Sequence, residues 1–159
     1  MALEIERKFM ISGFPEELKE VRRAHIWQGY LSIEPEVRIH KALDPANGKE
    51  NYRLTIKGDG TLTRKEIITD VTKEFFCEAE ELLSRPLIYK EFRAYEFRGY
   101  IPEVCHVDPG TPDEFYYAEI EFPSEAEATA FDAPAYFGEE VTPNTLYKMK
   151  YYWTKALRP

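Results

Sequence analysis

The sequence predicts a mainly β (α+β) fold, an antiparallel barrel or sandwich of about eight strands with helices packed outside. Two observations support this prediction. Short runs alternate apolar and polar residues and end at turn residues, as strands do. Aromatic residues, which strands favour, make up 14% of the chain, with 11 Tyr and 10 Phe. The length of 159 residues fits a single domain spanning residues 1–159.

The strands follow from the alternation and from the turn residues between runs. Alternating runs predict strands at residues 3–11, 51–57, 62–70, 87–98, 100–108 and 115–122. The run at 28–42 predicts two strands that part near Glu34-Pro35. The segment Gly58-Asp59-Gly60 is interpreted as a hairpin turn, because it matches neither a P-loop nor a dinucleotide fingerprint.

Helices are predicted where apolar residues recur at helical spacing or where a cap precedes them. The first such segment, residues 72–84, carries Phe75, Phe76, Ala79, Leu82 and Leu83 at that spacing. Residues 15–23 and 124–131 predict short helices, the second with a capping box formed by Ser124 and Glu127. Asn144 is predicted to cap a last helix that runs through Trp153.

The composition excludes several classes of partner. A net charge of −8 argues against a general nucleic-acid binder and, more weakly, against binding to an anionic membrane surface. The two cysteines, Cys77 and Cys105, form neither a disulfide framework nor a zinc site. No secretory signal and no apolar run near ~20 residues is present, so we expect a cytoplasmic protein.

Charged residues share one face in several predicted strands, since residues two apart point the same way. In the first strand Glu4, Glu6 and Lys8 oppose Leu3 and Ile5. The same split occurs in four later sets, Arg38 and His40, Arg53 with Thr55 and Lys57, Arg64 and Glu66, and Glu119 and Glu121. A half-buried sheet with a solvated face explains this pattern. A closed barrel explains it too, and the concentration of Arg, Lys and Glu favours a charged lumen that holds ions and a charged ligand.

These residue types suit one particular chemistry. The carboxylates of Glu4, Glu6, Glu119 and Glu121 are hard oxygen donors of the kind that Mg²⁺ and Mn²⁺ prefer. Arginine and lysine on neighbouring strands are phosphate donors. Carboxylates and cations on one surface therefore predict a site for a metal–polyphosphate complex.

The chain also resembles a known family. Glu4-Ile5-Glu6-Arg7-Lys8 fits the E-x-E-x-K motif of the CYTH superfamily, the triphosphate tunnel metalloenzymes. Its companions follow in the family's order: Gln28-Gly29-Tyr30-Leu31, Arg38 of R-x-R, Leu54-Thr55-Ile56-Lys57-Gly58, Arg64-x-Glu66, Ala118-Glu119-Ile120-Glu121, and Val141-Thr142 with Tyr147. The resemblance covers nearly the whole chain. It implies a closed antiparallel barrel around a charged tunnel and activity on triphosphates with Mg²⁺ or Mn²⁺.

The resemblance also implies roles for individual residues. The triphosphate is expected to lie against Arg38, His40, Arg53, Lys57, Arg64 and either Lys90 or Arg93. The metal is expected to bind Glu4, Glu6, Glu119 and Glu121, with Glu119 also helping to activate water. Lys8 is expected to orient that water or to neutralise charge on the scissile phosphoryl group.

Some positions depart from the family pattern and leave the substrate open. His40 stands where a second arginine is usual, and because imidazole titrates near neutrality we expect it to shape the pH profile. Lys90 and Arg93 are three residues apart, so only a bulge would turn both into the tunnel. Ile68 stands where a second glutamate often follows Glu66, and Lys148 stands where asparagine is frequent.

Hydrolysis of inorganic triphosphate to pyrophosphate and phosphate is the expected function. A class IV adenylate cyclase, which forms cyclic AMP from ATP, would need contacts that fix the ribose, and the sequence shows no separate nucleoside pocket. Thiamine triphosphatase activity and non-catalytic binding of polyphosphate are further alternatives, and the sequence leaves a homodimer open. A site for a small apolar ligand is disfavoured by the ionic lumen.

Overall fold

The structure is a computed structural model that describes residues 3–156, so residues 1–2 and 157–159 of the predicted domain lie outside the described residues. Its nine strands are β1 (Leu3–Met10), β2 (Lys19–Ser32), β3 (Glu36–Leu43), β4 (Glu50–Lys57), β5 (Thr63–Asp70), β6 (Ile88–Glu96), β7 (Glu103–Val107), β8 (Phe115–Glu121) and β9 (Glu139–Glu140). Its helices are α1 (Lys73–Glu81), α2 (Glu125–Ala130) and α3 (Met149–Ala156), with two short 3₁₀ helices, Ala135–Phe137 and Thr145–Tyr147. No helix within the described range is long and apolar enough to cross a membrane.

Eight of the strands close into an antiparallel barrel, as predicted. They follow the order β5-β4-β3-β2-β6-β7-β8-β1. The strand β1 closes the ring because it pairs with β5 at residues 3–5 and with β8 at residues 6–9. The short β9 then pairs with the end of β1 at Phe9 and Met10. A mainly β fold with a closed barrel is thus confirmed, and β9 is an addition that the sequence did not predict.

Two helices pack on the outside of this barrel. Thr72 caps α1 by accepting a hydrogen bond of 3.0 Å from the backbone N–H of Phe75. The helix then buries Phe76 and Ala79 against Ile39 and other residues of the outer face of β3 and β4. The predicted cap of α2 is also present, because the Ser124 hydroxyl accepts from the N–H of Glu127 at 3.1 Å.

Arg7 is a charged residue on the otherwise apolar face of β1, and its hydrogen bonds explain its position there. Its guanidinium donates to the carbonyl oxygens of Ala128 and Phe131 at 2.8 and 2.6 Å. It also donates to both carboxylate oxygens of Glu140 at 2.8 and 2.7 Å. Arg7 therefore ties α2 and β9 to the outside of the barrel and takes no part in the lumen.

The lumen has two different walls. The inward residues of β1, β3, β4, β5 and β8 are largely charged, as the alternation predicted. In contrast, β2, β6 and β7 turn Ala24, Ile26, Phe92 and Cys105 toward the cavity. On this wall apolar side chains therefore face the lumen. They belong to a core that includes Met149 and Trp153 of the C-terminal segment.

The C-terminal segment covers one end of the barrel through bonds to the connections between strands. Lys148 donates to the carbonyl of Gly60 at 2.7 Å, and Lys150 donates to that of Ile33 at 3.4 Å. Trp153 donates to the carbonyl of Pro86 at 2.8 Å, and the Tyr152 hydroxyl bonds Asp108. These acceptors lie in connections between strands. Because neighbouring strands of the barrel run in opposite directions, all four connections are at the same end.

Two predicted elements are wrong. Residues 15–23 form no helix, because β2 begins at Lys19 and pairs with β6 from Lys19 opposite Glu96. The predicted last helix is interrupted: Asn144 caps only the 3₁₀ turn at Thr145–Tyr147, and α3 begins afresh at Met149. Long-range strand pairing outweighed the local helical pattern in the first case.

Candidate active site

The charged faces of the strands meet in one tunnel with two halves. The half under the C-terminal segment, called the closed half here, encloses about 610 Å³. The open half leads to the other end of the barrel and encloses about 1020 Å³. Both are lined by the same central residues, Glu6, Arg38, Lys57, Lys90 and Glu119, so they are continuous.

Three glutamates in the open half form a carboxylate triad. Carboxylate oxygens of Glu4, Glu66 and Glu121 all lie within 4.8 Å of one another. They meet because β1, which carries Glu4, pairs with β5 at its start and with β8 beyond it. Three hard oxygen donors on three paired strands fit Mg²⁺ or Mn²⁺. Glu4 and Glu121 are predicted metal ligands. Glu66 is not among the predicted ligands, although it shares a face with Arg64.

Two cations contact this triad. The Nζ of Lys57 lies 3.0 Å from Glu4 and 3.4 Å from Glu66. Arg64 lies 3.5 Å from Glu4 and 3.3 Å from Glu36, which is also buried. Lys57 and Arg64, both predicted phosphate ligands, thus bind carboxylates in the structure. Glu36 is not among the predicted site residues, although it precedes Arg38 by two residues on the same face of the strand.

Glu6 and Glu119 form a separate pair deeper in the tunnel. Burial, reinforced by the charge of Glu119, holds the pKa of Glu6 well above its ordinary value. Burial also opposes ionisation of Glu119, but the ammonium groups of Lys8, Lys57 and Lys90 outweigh it and lower the pKa of that carboxyl. A proton shared by this pair therefore favours Glu6 over Glu119. The four predicted metal ligands accordingly fall into two groups, with Glu6 and Glu119 outside the triad.

The closed half collects cations that have no carboxylate partner. Lys8 donates to the carbonyl of Tyr147 at 2.7 Å and lies 4.3 Å from the ring centre of Tyr117. Lys90 donates to the Tyr117 hydroxyl at 2.6 Å, and the buried Nε of Arg38 has no hydrogen-bond partner. Within residues 3–156 none of these three cations forms a salt bridge. Burial lowers the pKa of both lysines. An anion would satisfy all three groups together.

The remaining predicted phosphate ligands lie in different places. His40 lines the open half, where burial and the charges of Arg38, Lys90 and Arg53 lower its pKa to about 3. It is therefore neutral near pH 7, which argues against the expectation that its titration shapes activity near neutral pH. Arg53 stands at the open end, 44% exposed, with its Nε 3.4 Å from Asp70.

Arg93 is the one predicted ligand outside the tunnel. The pairing of β6 with β7 is regular from Lys90 to Ala94, so no bulge turns Arg93 inward. Its guanidinium instead lies 3.9 Å from the ring centre of Phe14 on the outer face. The expectation that Arg93 lines the tunnel is corrected, whereas Lys90 does line it. Phe92 occupies the next lumen position along the strand.

The comparisons with known proteins agree with this geometry. No protein-family model matches the chain. An inorganic triphosphatase of Nitrosomonas europaea is 34% identical over 157 residues, which cover 92% of this chain and 94% of that protein. The crystal structure of the inorganic triphosphatase NE1496 matches with a TM-score of 0.64 and 26% identity over 96% of this chain and 95% of that one.

A more distant structure shares the fold alone. The adenylyl cyclase-like protein HpAC1 from Hippeastrum, described as having a dominant triphosphatase activity, matches with a TM-score of 0.56. Its sequence is 12% identical, and the match covers 81% of this chain and 83% of that one.

Proposed function

Because the chain belongs to the CYTH superfamily of triphosphate tunnel metalloenzymes, we propose that it is a metal-dependent hydrolase that cleaves inorganic triphosphate to pyrophosphate and phosphate. One observation carries the proposal. Buried cations without carboxylate partners, Lys8, Arg38 and Lys90, lie in the same tunnel as the triad of Glu4, Glu66 and Glu121. A polyanion accompanied by a divalent cation satisfies both groups.

The cations bind and orient the substrate. Arg38 has a free Nε–H and can donate two parallel hydrogen bonds to phosphate oxygens. Lys90 adds a point charge from β6, fixed by its bond to Tyr117. Because these side chains are held by the barrel before the substrate arrives, little reorganisation is needed when it binds.

The triad would hold Mg²⁺ or Mn²⁺. Such an ion would neutralise charge on the phosphate oxygens, which favours attack on phosphorus. Lys57 and Arg64 contact Glu4 and would be available to phosphate if an ion were held by that carboxylate.

Glu119 is suited to accept the proton of the attacking water. It is ionised, and Lys8 lies directly opposite it in the β1–β8 pair. As the water oxygen bonds to the terminal phosphorus, its proton passes to Glu119 and the bond from phosphorus to the bridging oxygen breaks. Pyrophosphate leaves with that oxygen, and the nearby ammonium groups offset its charge. Because the pKa of Glu119 is about 2, it is a weak base, and its contribution should fall below the roughly 10²–10⁴-fold that a well-matched general base gives.

A second candidate substrate is an organic triphosphate, such as thiamine triphosphate or ATP. The observation in its favour is the apolar wall of the open half, formed by Ala24, Ile26 and Phe92. An organic group on one end of the phosphate chain could lie against this wall. The closed half is lined almost entirely by polar residues and could take only the phosphate end.

Phosphate release from inorganic triphosphate with Mg²⁺, with Mn²⁺ and with chelator tests the proposal. We expect hydrolysis with metal and none with chelator. Glu66→Gln should lose activity by orders of magnitude, because it removes one charged member of the triad. The control is Glu91→Gln, which changes a glutamate on the outer face of β6 that pairs only with Arg93 at 4.0 Å. Full activity in chelator, or equal loss in both variants, would contradict a metal site at the triad.

A further inference from the structure

The C-terminal segment that covers the tunnel contributes a cation of its own, Lys148. This lysine precedes α3 and lines the closed half together with Lys8, Arg38 and Lys90. It lies outside the barrel strands, whose alternation predicted the other cations. The family resemblance gave no role to it, because asparagine is frequent at that position.

The ammonium group of Lys148 is incompletely satisfied. It donates to the carbonyl of Gly60 at 2.7 Å, which uses one of its three hydrogens. Among residues 3–156 it forms no salt bridge with a carboxylate. Burial lowers the pKa of Lys148, and the charges of Arg64 and Lys150 lower it further against the opposing charges of Glu36 and Asp59. A half-buried ammonium in such surroundings attracts an anion.

The backbone holds Lys148 firmly at this place. Its carbonyl accepts from the N–H groups of Tyr151 and Tyr152 at 3.0 and 3.2 Å, in the first turn of α3. On the other side, Lys8 bonds the carbonyl of Tyr147 at 2.7 Å. The carbonyl that accepts from Lys148 is equally fixed, because it belongs to Gly60. Gly60 has a φ of +132°, and a Cβ there would lie 2.2 Å from the carbonyl oxygen of Thr63, so only glycine fits.

Resting on the proposed function, we propose that Lys148 is a further substrate-binding residue that binds the terminal phosphoryl group at the closed end of the tunnel. Because the C-terminal segment covers this end, we expect a linear polyphosphate to enter the closed half with one of its ends. An unesterified terminal phosphoryl group carries the most charge and fits the space among the cations. A triphosphate esterified at both ends has no such group, so the protein should discriminate against it.

The test compares Lys148→Met with Lys150→Met. Both lysines donate to a backbone carbonyl of a strand connection, at 2.7 and 3.4 Å, and both substitutions keep an unbranched apolar side chain. Only Lys148 lines the tunnel. Binding of inorganic triphosphate to metal-free protein is measured by calorimetry in chelator, with thermal unfolding as the check on folding. Lys148→Gln replaces Lys148→Met if the latter does not fold.

We expect Lys148→Met to weaken triphosphate binding roughly 10- to 100-fold, as loss of a charge-assisted hydrogen bond does. Lys148→Arg should restore most of the affinity, and Lys150→Met should bind as the unchanged protein does. A dinucleoside triphosphate should bind weakly to all of these proteins. Unchanged affinity in Lys148→Met, or equal weakening in Lys150→Met, would overturn the inference and leave Lys148 as a structural tether.

This experiment separates the inference from the proposed function. If the protein hydrolyses triphosphate and Lys148→Met binds it as tightly as the unchanged protein does, the inference fails and the function stands. If the protein binds triphosphate through Lys148 but releases no phosphate with either metal, the function fails and the inference stands.

Discussion

The Nζ of Lys57 lies 3.0 and 3.1 Å from the two carboxylate oxygens of Glu4. The two side chains are only 6% and 9% exposed, so this ion pair is shielded from water. Lys57, which contacts both Glu4 and Glu66, is thus the main cation that compensates the carboxylate triad. Stability and metal binding are coupled at this point, because the divalent ion and the ammonium group attract the same carboxylates.

Lys57→Met should destabilise the metal-free protein. Loss of one partner from a buried ion pair leaves a carboxylate uncompensated and costs about 3–5 kcal/mol of unfolding free energy. Urea unfolding in chelator measures this cost. Added Mg²⁺ or Mn²⁺ should restore part of the lost free energy of unfolding. The control is Lys41→Met, which breaks the partly exposed pair with Glu50 at 2.7 Å and should cost about 0–1 kcal/mol. Equal effects in the two variants would show that the triad does not depend on Lys57.

Glu6→Gln should lower activity but raise the stability of the metal-free protein at high pH. Because burial raises the pKa of Glu6, the folded protein holds more protons than the unfolded chain between the ordinary value of 4.5 and the raised value. The stability of the unchanged protein therefore falls as pH rises through that window, and the glutamine variant lacks this loss. Urea unfolding across that window in chelator should show the advantage of the variant growing with pH. Parallel pH dependences would contradict a raised pKa for Glu6.

Lys90→Met and Arg93→Met form a matched pair, because one residue lines the tunnel and the other lies outside it. We expect Lys90→Met to weaken triphosphate binding roughly 10- to 100-fold, through loss of a charge-assisted hydrogen bond. Arg93→Met loses its contact with Phe14 and its 4.0 Å pair with Glu91, both outside the tunnel, and should leave binding unchanged. Calorimetric titration with inorganic triphosphate measures both. A larger effect at Arg93 would show that β6 faces the other way.

His40→Arg adds a charge where the protein has a neutral imidazole, so triphosphate binding should tighten or stay unchanged. Since the pKa of His40 is about 3, its titration should leave activity unaffected between about pH 6 and pH 8. The neutral variant His40→Gln should accordingly keep the same profile of kcat/KM against pH. A large loss of binding in His40→Arg would reveal a specific role for the imidazole.

The alternation of the strands predicted the barrel and most of the tunnel lining, because side-chain direction in a strand follows parity alone. Parity does not say which residues on neighbouring strands stand at the same level. In the pairing of β1 with β5 and β8, Glu4 lies opposite Arg64 and Glu6 lies opposite Glu121. The carboxylate oxygens that nevertheless come together are those of Glu4, Glu66 and Glu121. Such pairings join residues far apart in the chain and leave no local pattern.

The incorrect or missing predictions, namely the helix at 15–23, the inward Arg93 and the tunnel residue Lys148, have similar causes. The 15–23 segment has a locally helical pattern, yet its second half is drawn into β2 by pairing with β6. The inward placement of Arg93 required a bulge that the regular β6–β7 pairing excludes. Lys148 lies before a helix that covers the barrel end, where no strand alternation applies, so only the tertiary structure places it in the tunnel.

The most direct measurement is phosphorus NMR of the products formed from inorganic triphosphate and, separately, from ATP, each with Mg²⁺ or Mn²⁺. The proposed function predicts that inorganic triphosphate disappears faster than ATP. Attack of water on a terminal phosphorus predicts that it yields pyrophosphate and phosphate in equal amounts. Conversion of ATP to cyclic AMP and pyrophosphate, with inorganic triphosphate left intact, would contradict a hydrolase and show that the tunnel belongs to a cyclase.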